Sequence, residues 1–170
     1  MTVSRDMFIS AMRQVASSVT IVTTDGSAGR AGATVSAFTS LSADPPSVLV
    51  CLRSDSRIAR TVAANGAFSV NVLPEDASHL AQKFSGMFDH AQRDPFQGIE
   101  MSEAPSGAVL AGATSFNCTV EQTMTHGTHS VVVGSVSTVS EAGMRPLAYM
   151  AGAYHVVRPQ NDPTGEPQCQ

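Results

Sequence analysis

A mainly β (α+β) domain, a barrel with short peripheral helices, is the fold class that this 170-residue sequence predicts. Three observations lead there. Runs of β-branched or alternating residues follow one another from Val19 to Val157, with no long helix between them. Helical spacing is confined to two or three short segments. Charged residues make up only 14% of the chain, so Ser, Thr, Gly and Ala are left to fill strands and turns. Strands in succession argue for a barrel over an alternating βαβ sheet.

Each element has a local reason. Ser4 is placed to cap a first helix, with Asp6 in the first turn, where negative charge suits the helix dipole. Phe8, Met12 and Val15 recur at helical spacing, which predicts an end near Ala16 to Ser18. Val19 to Thr24 (VTIVTT) is a β-branched strand, and Asp25-Gly26 turns the chain. Ala33 to Ser40 reads as one strand, Asp44-Pro45-Pro46 as a break, and Ser47 to Leu52 (SVLVCL) as a buried strand. A helix is predicted over Ser56 to Asn65, capped by Ser54 or Ser56 and ended by Gly66. Ala67 to Leu73 alternates as a strand, and Pro74 to Phe84 reads as another short helix. Residues 86 to 107 have no regular pattern. Ser115 to Thr125 and Ser130 to Val139 are long alternating strands around a turn at His126 to His129. Ala153 to Val157 closes the series.

Composition narrows the function. The formal net charge is −4 and no basic stripe is visible, which argues against nucleic acid as a partner. No apolar run approaches the roughly 20 residues of a membrane span. The start MTVSRDMF lacks the build of a secretory signal. Cys51, Cys118 and Cys169 form neither a disulfide framework nor a CxxC metal site, which fits a reducing cytoplasm. GxGxxG, the P-loop, GxSxG and HExxH are all absent. His126 and His129 make an HxxH without a third ligand at a suitable spacing, so no metal is expected.

Two stretches carry chemistry. Ala33 to Pro46 (ATVSAFTSLSADPP) concentrates hydroxyls and small residues, which suits a polar planar ligand with a phosphate tail. A Thr/Ser-rich strand with one solvated face would look the same. Cys51 to Arg57 (CLRSDSR) joins a buried strand to a helix start, where free amides, hydroxyls and guanidiniums make a phosphate cradle. An ordinary capped helix with surface arginines fits it as well.

Taken together, MFISAMRQVASSVTIVTT, AGATVSAFTSLSADPPSVLVCL, SRIARTVAANGAFSVNVL, KFSG, GTHSVVVGSV, PLAYMAGAY and YHVVRP resemble the short-chain flavin reductases. These are the reductase components of two-component flavin monooxygenases, of the 4-hydroxyphenylacetate 3-monooxygenase reductase type. The resemblance runs from Met7 to about Arg158. It implies a six-stranded FMN-binding split barrel working as a homodimer, in one domain over 1–158; residues 159–170, polar and Pro-containing, are expected to form a flexible tail. It implies hydride transfer from NADH to FMN or FAD, and reduced flavin supplied to a partner monooxygenase. Reduction of ferric chelates or a corrinoid, or flavin storage without catalysis, remain open uses of the same fold.

The resemblance also implies flavin contacts. Thr34, Val35, Ser36 and Ala37 lie along the isoalloxazine, with Ser40 nearby. Cys51, Leu52 and Arg53 border the ring and ribityl chain. Ser56, Arg57 and the turn Phe84-Ser85-Gly86 hold the phosphate. His129 is the side chain singled out near the nicotinamide, to position the dinucleotide or to sit by flavin N5 or N1 as a donor, where a solvated turn histidine is the plainer alternative. Tyr154 closes the pocket or packs in the core. The family often has Asp where this chain has Thr128, which puts any role of that carboxylate in doubt.

Overall fold

The computed structural model describes residues 2–86, 94–104 and 106–161. Its main body is an antiparallel sheet of seven strands: β2 (Thr20–Thr24), β3 (Ala31–Val35), β4 (Phe38–Ala43), β5 (Pro46–Arg53), β6 (Ala67–Val72), β9 (Thr114–His126) and β10 (His129–Ser140). Their order is β3-β2-β6-β9-β10-β5-β4. A smaller sheet joins β1 (Ser17–Ser18), β11 (Leu147–Met150) and β12 (Ala153–Val156), and β7 (Met101–Ala104) pairs with β8 (Gly107–Leu110).

The expected single strand over Ala33 to Ser40 is two strands, β3 and β4, parted at Ser36-Ala37. They form the two outer edges of the sheet although they are neighbours in sequence, so the sheet curls round on itself. Cys51 N–H donates to the Ala37 carbonyl at 3.0 Å across this junction. No ladder joins β3 to β4, and the expected count of six strands is seven.

β2 explains its own composition. All five residues are buried, because Val22 packs into one core cluster and Ile21 into another. The first cluster lies inside the curl, around Val50, Leu52, Phe68, Val70 and Val132. The second lies outside, around Leu73, Phe84, Phe96, Leu110 and Leu147. A cycle of backbone bonds ties the small sheet on: Val19 N–H to Leu147, Leu147 N–H to Leu73, and Leu73 N–H to Val19.

Three helices flank the strands. α2 (Arg57–Asn65) starts at Ser56, whose Oγ accepts from Ala59 N–H, and ends at Gly66 in the left-handed conformation, φ 69°. Ile58, Ala59 and Val62 turn one face into the first cluster, where Ile58 and Val62 each contribute roughly 1.5–3 kcal/mol of burial. α1 (Arg5–Met12) is capped by Ser4 as expected but stops before Ala16. None of its residues is buried; Met7 and Phe8 are 67% and 60% exposed. α3 (Ser78–Lys83) is shorter than the expected Pro74 to Phe84. Its front end is taken by a bridge from Pro74 to Pro146 and by Glu75 N–H donating to the Arg145 carbonyl. Arg145 and Glu75 also pair side by side, which holds the Glu75 carboxyl below its usual range.

Three strands of four residues were not legible. β7 and β8 fall at or beside the stretch without a pattern, and β11 is four residues between Pro146 and a turn. The tail expectation for 159–170 falls mostly outside the described residues. No described helix is long and apolar enough to cross a membrane.

Candidate functional site

The site grows from the end of β5. Leu52 points into the core, so only its backbone is available to a ligand. Arg53 points out and forks onto Asp55, with Nε to Oδ1 at 3.1 Å and Nη2 to Oδ2 at 2.7 Å. That contact holds the Asp55 carboxyl below its ordinary range and pushes Arg53 higher. Both side chains are exposed, so the pair adds little to stability. Its consequence is placement of the guanidinium beside the start of α2.

Two more arginines converge there. Arg60 Nη1 donates to the Asp55 carbonyl at 2.7 Å, and Arg57 Nη2 donates to the Arg30 carbonyl at 3.0 Å. Counting Arg30, which faces Asp25 and Asp94 where Arg57 reaches it, four guanidiniums stand against three carboxylates around this helix N-terminus, a small surplus of positive charge suited to a phosphate. Ser56 belongs to this loop, but its hydroxyl is committed: it accepts from Ala59 N–H and donates to the Arg53 carbonyl.

The turn between β9 and β10 faces the same loop. His129 is the register partner of Arg53 on one side and of His126 on the other. Ser54 N–H donates to the Thr128 carbonyl at 3.0 Å, and the hydroxyls of Ser54 and Ser130 are 3.0 Å apart. Thr128 Oγ1 lies 3.0 Å from His129 Nδ1. Arg53, Ser54, Ser56, Arg57 and His129 are therefore brought into one patch.

A second group assembles on β3. Thr34 N–H donates to the Phe84 carbonyl at 3.0 Å, and Thr34 Oγ1 donates to the Ala81 carbonyl at 2.7 Å. This fixes the turn Phe84-Ser85-Gly86 to the strand. The Phe84 ring is buried edge-on against Phe96, with Arg30 stacked on the other ring at 4.9 Å. A Cβ on Gly32 would sit 2.7 Å from the Phe84 ring, so glycine is needed for this close approach. Phe84 thus contributes structure, and Ser85 and Gly86 contribute the exposed edge. Ser85 Oγ is engaged with the Gln82 carbonyl at 2.7 Å.

The expected ring-side residues divide. Val35 is buried, with its carbonyl taken by the Thr20 hydroxyl. Ser36, Ala37 and Ser40 are exposed, and Cys51 is half-buried.

A model of the flavin reductase like domain matches residues 12–158. The chain belongs to the flavin reductase family. It is similar to the FMN reductase (NADH) RutF of Ancylobacter novellus, with 39% identity over 91% of this chain and 86% of that protein. Among solved structures it resembles the NADH:FAD oxidoreductase SgcE6 of Streptomyces globisporus C-1027, in complex with NAD and FAD fragments. The TM-score is 0.84 at 26% identity, over 94% of this chain and 96% of that one. It also resembles the styrene monooxygenase flavin reductase SMOB of Pseudomonas putida S12. There the TM-score is 0.79 at 27% identity, over 89% and 97% of the two chains.

Within this flavin reductase fold, Tyr154 stands apart from the Arg53–His129 patch. It lies in β12 of the small sheet, its ring centroid 5.4 Å from that of Tyr149, and packs on the second cluster. Burial pushes its phenol pKa up. Tyr149 instead lines a cavity of about 270 Å³ with Phe8, Met12, Arg13, Ala151 and Ser36. These lining residues escaped the sequence analysis, apart from Ser36. The signal was available in part: Phe8 and Met12 form an apolar helix face that the sequence supplies with no partner. Ser54 stood in the CLRSDSR stretch as a candidate helix cap, but its contacts with Thr128 and Ser130 were not foreseen.

Proposed function

We propose that this chain is an NADH:flavin oxidoreductase that reduces FMN or FAD and releases it to a partner monooxygenase or another acceptor. The observation that carries this is the exposed patch in which Arg53, Arg57 and Arg60 surround the start of α2 beside the His129 turn. It offers a cradle for an anionic tail next to an imidazole. The names of the relatives agree with it.

The residues present fit a flavin phosphate. The guanidiniums take its charge, and the exposed edge at Ser85-Gly86 borders it. Ser36 and Ala37, with Ser40, Cys51 and the backbone of Val35 and Leu52, suit the flat ring, because the β3–β4 junction exposes backbone there. When both cofactors are bound, hydride passes from nicotinamide to flavin, chemistry they supply themselves. The protein aligns the two rings and keeps water from between them. Purified protein given NADH and excess free FMN should turn over many times, whereas a flavin-storage protein would not.

We assign His129, beside Arg53 on the β10 side of the patch, the role of orienting the nicotinamide. Its replacement by Ala should raise the Michaelis constant for NADH, or slow hydride transfer, about tenfold, near 1.4 kcal/mol, while flavin affinity changes little. Stopped-flow reduction with a flavin titration tests this, and wild-type values in both remove His129 from the site.

Counting β3 and β4 as one strand bent at Ser36-Ala37 makes the sheet a six-stranded split barrel; one domain over 1–158 and a cytoplasmic location belong to the same proposal. The uncovered apolar face of α1 favours a homodimer, since a second copy would bury it. A dimer is expected in sedimentation at micromolar concentration. A fully active monomer would contradict it.

A further inference from the structure

We infer that Thr128 is the positioning residue for His129. Its hydroxyl donates to Nδ1, so that the neutral imidazole presents Nε2–H as a donor toward the nicotinamide. This rests on the placement of His129 in the site, and extends it to the proton that the ring carries.

The geometry is a chain of contacts. The hydroxyl of Thr128 lies 3.0 Å from Nδ1 of His129. The backbone of Thr128 is held in place, because its carbonyl accepts from Ser54 N–H at 3.0 Å. On the other side of His129, Ser130 meets the Ser54 hydroxyl at 3.0 Å. The β5–α2 loop therefore holds both neighbours of His129. Gly127, at φ 57°, supplies the left-handed turn residue that brings Thr128 round.

The chemistry follows from the donor inventory. A hydroxyl can donate one hydrogen bond, and the unprotonated imidazole nitrogen is a better acceptor than a hydroxyl oxygen. Donation to Nδ1 occupies that lone pair and leaves the proton on Nε2. A carboxylate at the same position could only accept. It would pull the proton to Nδ1 and leave Nε2 as an acceptor. The surroundings agree with Nε2 as the donor. The charged or titratable groups facing His129 are Arg53 on β5, neutralised in part by Asp55, and His126 on β9. None of these is a carboxylate aimed at the imidazole. A ring that donates from Nε2 suits a carboxamide oxygen, which accepts.

The test is histidine nitrogen NMR combined with stopped-flow reduction. In the wild type the His129 signals should show Nε2–H and a hydrogen-bonded Nδ1. Thr128→Val, of nearly the same shape, should lose the hydrogen-bond shift at Nδ1 and slow hydride transfer several-fold. Thr128→Ser should restore both. Thr128→Asp should move the proton to Nδ1. The inference is overturned if the wild-type proton sits on Nδ1. It is also overturned if Thr128→Val leaves the Nδ1 shift unchanged, or if Thr128→Ser does no better than Val. Should His129→Ala reduce flavin at the wild-type rate, the placement of His129 fails instead, and the nitrogen shifts still decide whether the hydrogen bond exists.

Discussion

Arg57→Ala is expected to weaken FMN binding about 10- to 150-fold and to leave riboflavin within about twofold. The range corresponds to loss of one charge-assisted contact, about 1.5–3 kcal/mol. Riboflavin shares the ring and ribityl chain but carries no phosphate, so the ratio of the two affinities isolates the phosphate. Arg57 suits the test because, among the described residues, its guanidinium hydrogen-bonds to a backbone carbonyl, that of Arg30, and is exposed. Ser56 does not suit it. Its hydroxyl caps α2, and Ser56→Ala should cost about 1 kcal/mol of folding stability whatever ligand is present. Fluorescence titration of both flavins decides the matter. Equal weakening of FMN and riboflavin would take the phosphate away from the start of α2.

Gly134→Ala is expected to destabilise the fold by about 1–3 kcal/mol, and Gly134→Val by more. Gly134 lies in β10 at a step in the register with β9. A Cβ there would sit 2.5 Å from the end of the Phe68 ring and 2.8 Å from Cys118 Cβ. Both neighbours are fully buried, so neither has an easy way to give. The double variant Gly134→Ala with Phe68→Leu should cost less than the sum of the two single changes, because the shorter side chain makes room. Denaturant midpoints of the three variants test this. A wild-type midpoint for Gly134→Ala would show that the core is looser than drawn.

The parts of the fold that sequence reveals are those with strong local pattern. β2, β6 and the β9–β10 hairpin alternate or run β-branched over enough residues to be read, and α2 carries its own stop signals at Ser56 and Gly66. What escaped depends on partners far away in the chain. β7 and β8 owe their pairing partly to Asn71, which accepts from Leu110 N–H across 39 residues. α3 lost its first turn to Arg145 and Pro146. The split at Ser36-Ala37 follows from the curl of the sheet, which no local propensity encodes.

The site divides in the same way. The loop of Arg53, Ser56 and Arg57 was legible as a buried strand running into a helix cap, which has a physical signature; its contact with a flavin belongs to the proposal. Phe84 was assigned to the phosphate turn, yet its ring belongs to the core and only its backbone reaches β3. The role of Ser54 depends on a turn 74 residues later, that of Thr128. Such a pairing is a product of topology.

The most direct test of the proposed activity is anaerobic mixing of NADH with free FMN and a catalytic amount of the purified chain, followed by the visible absorbance of the flavin. Bleaching of FMN far in excess of protein, with one NADH consumed per flavin, is the expected result. Bleaching no faster than in the absence of protein, with both cofactors present, would contradict the assignment as a flavin reductase.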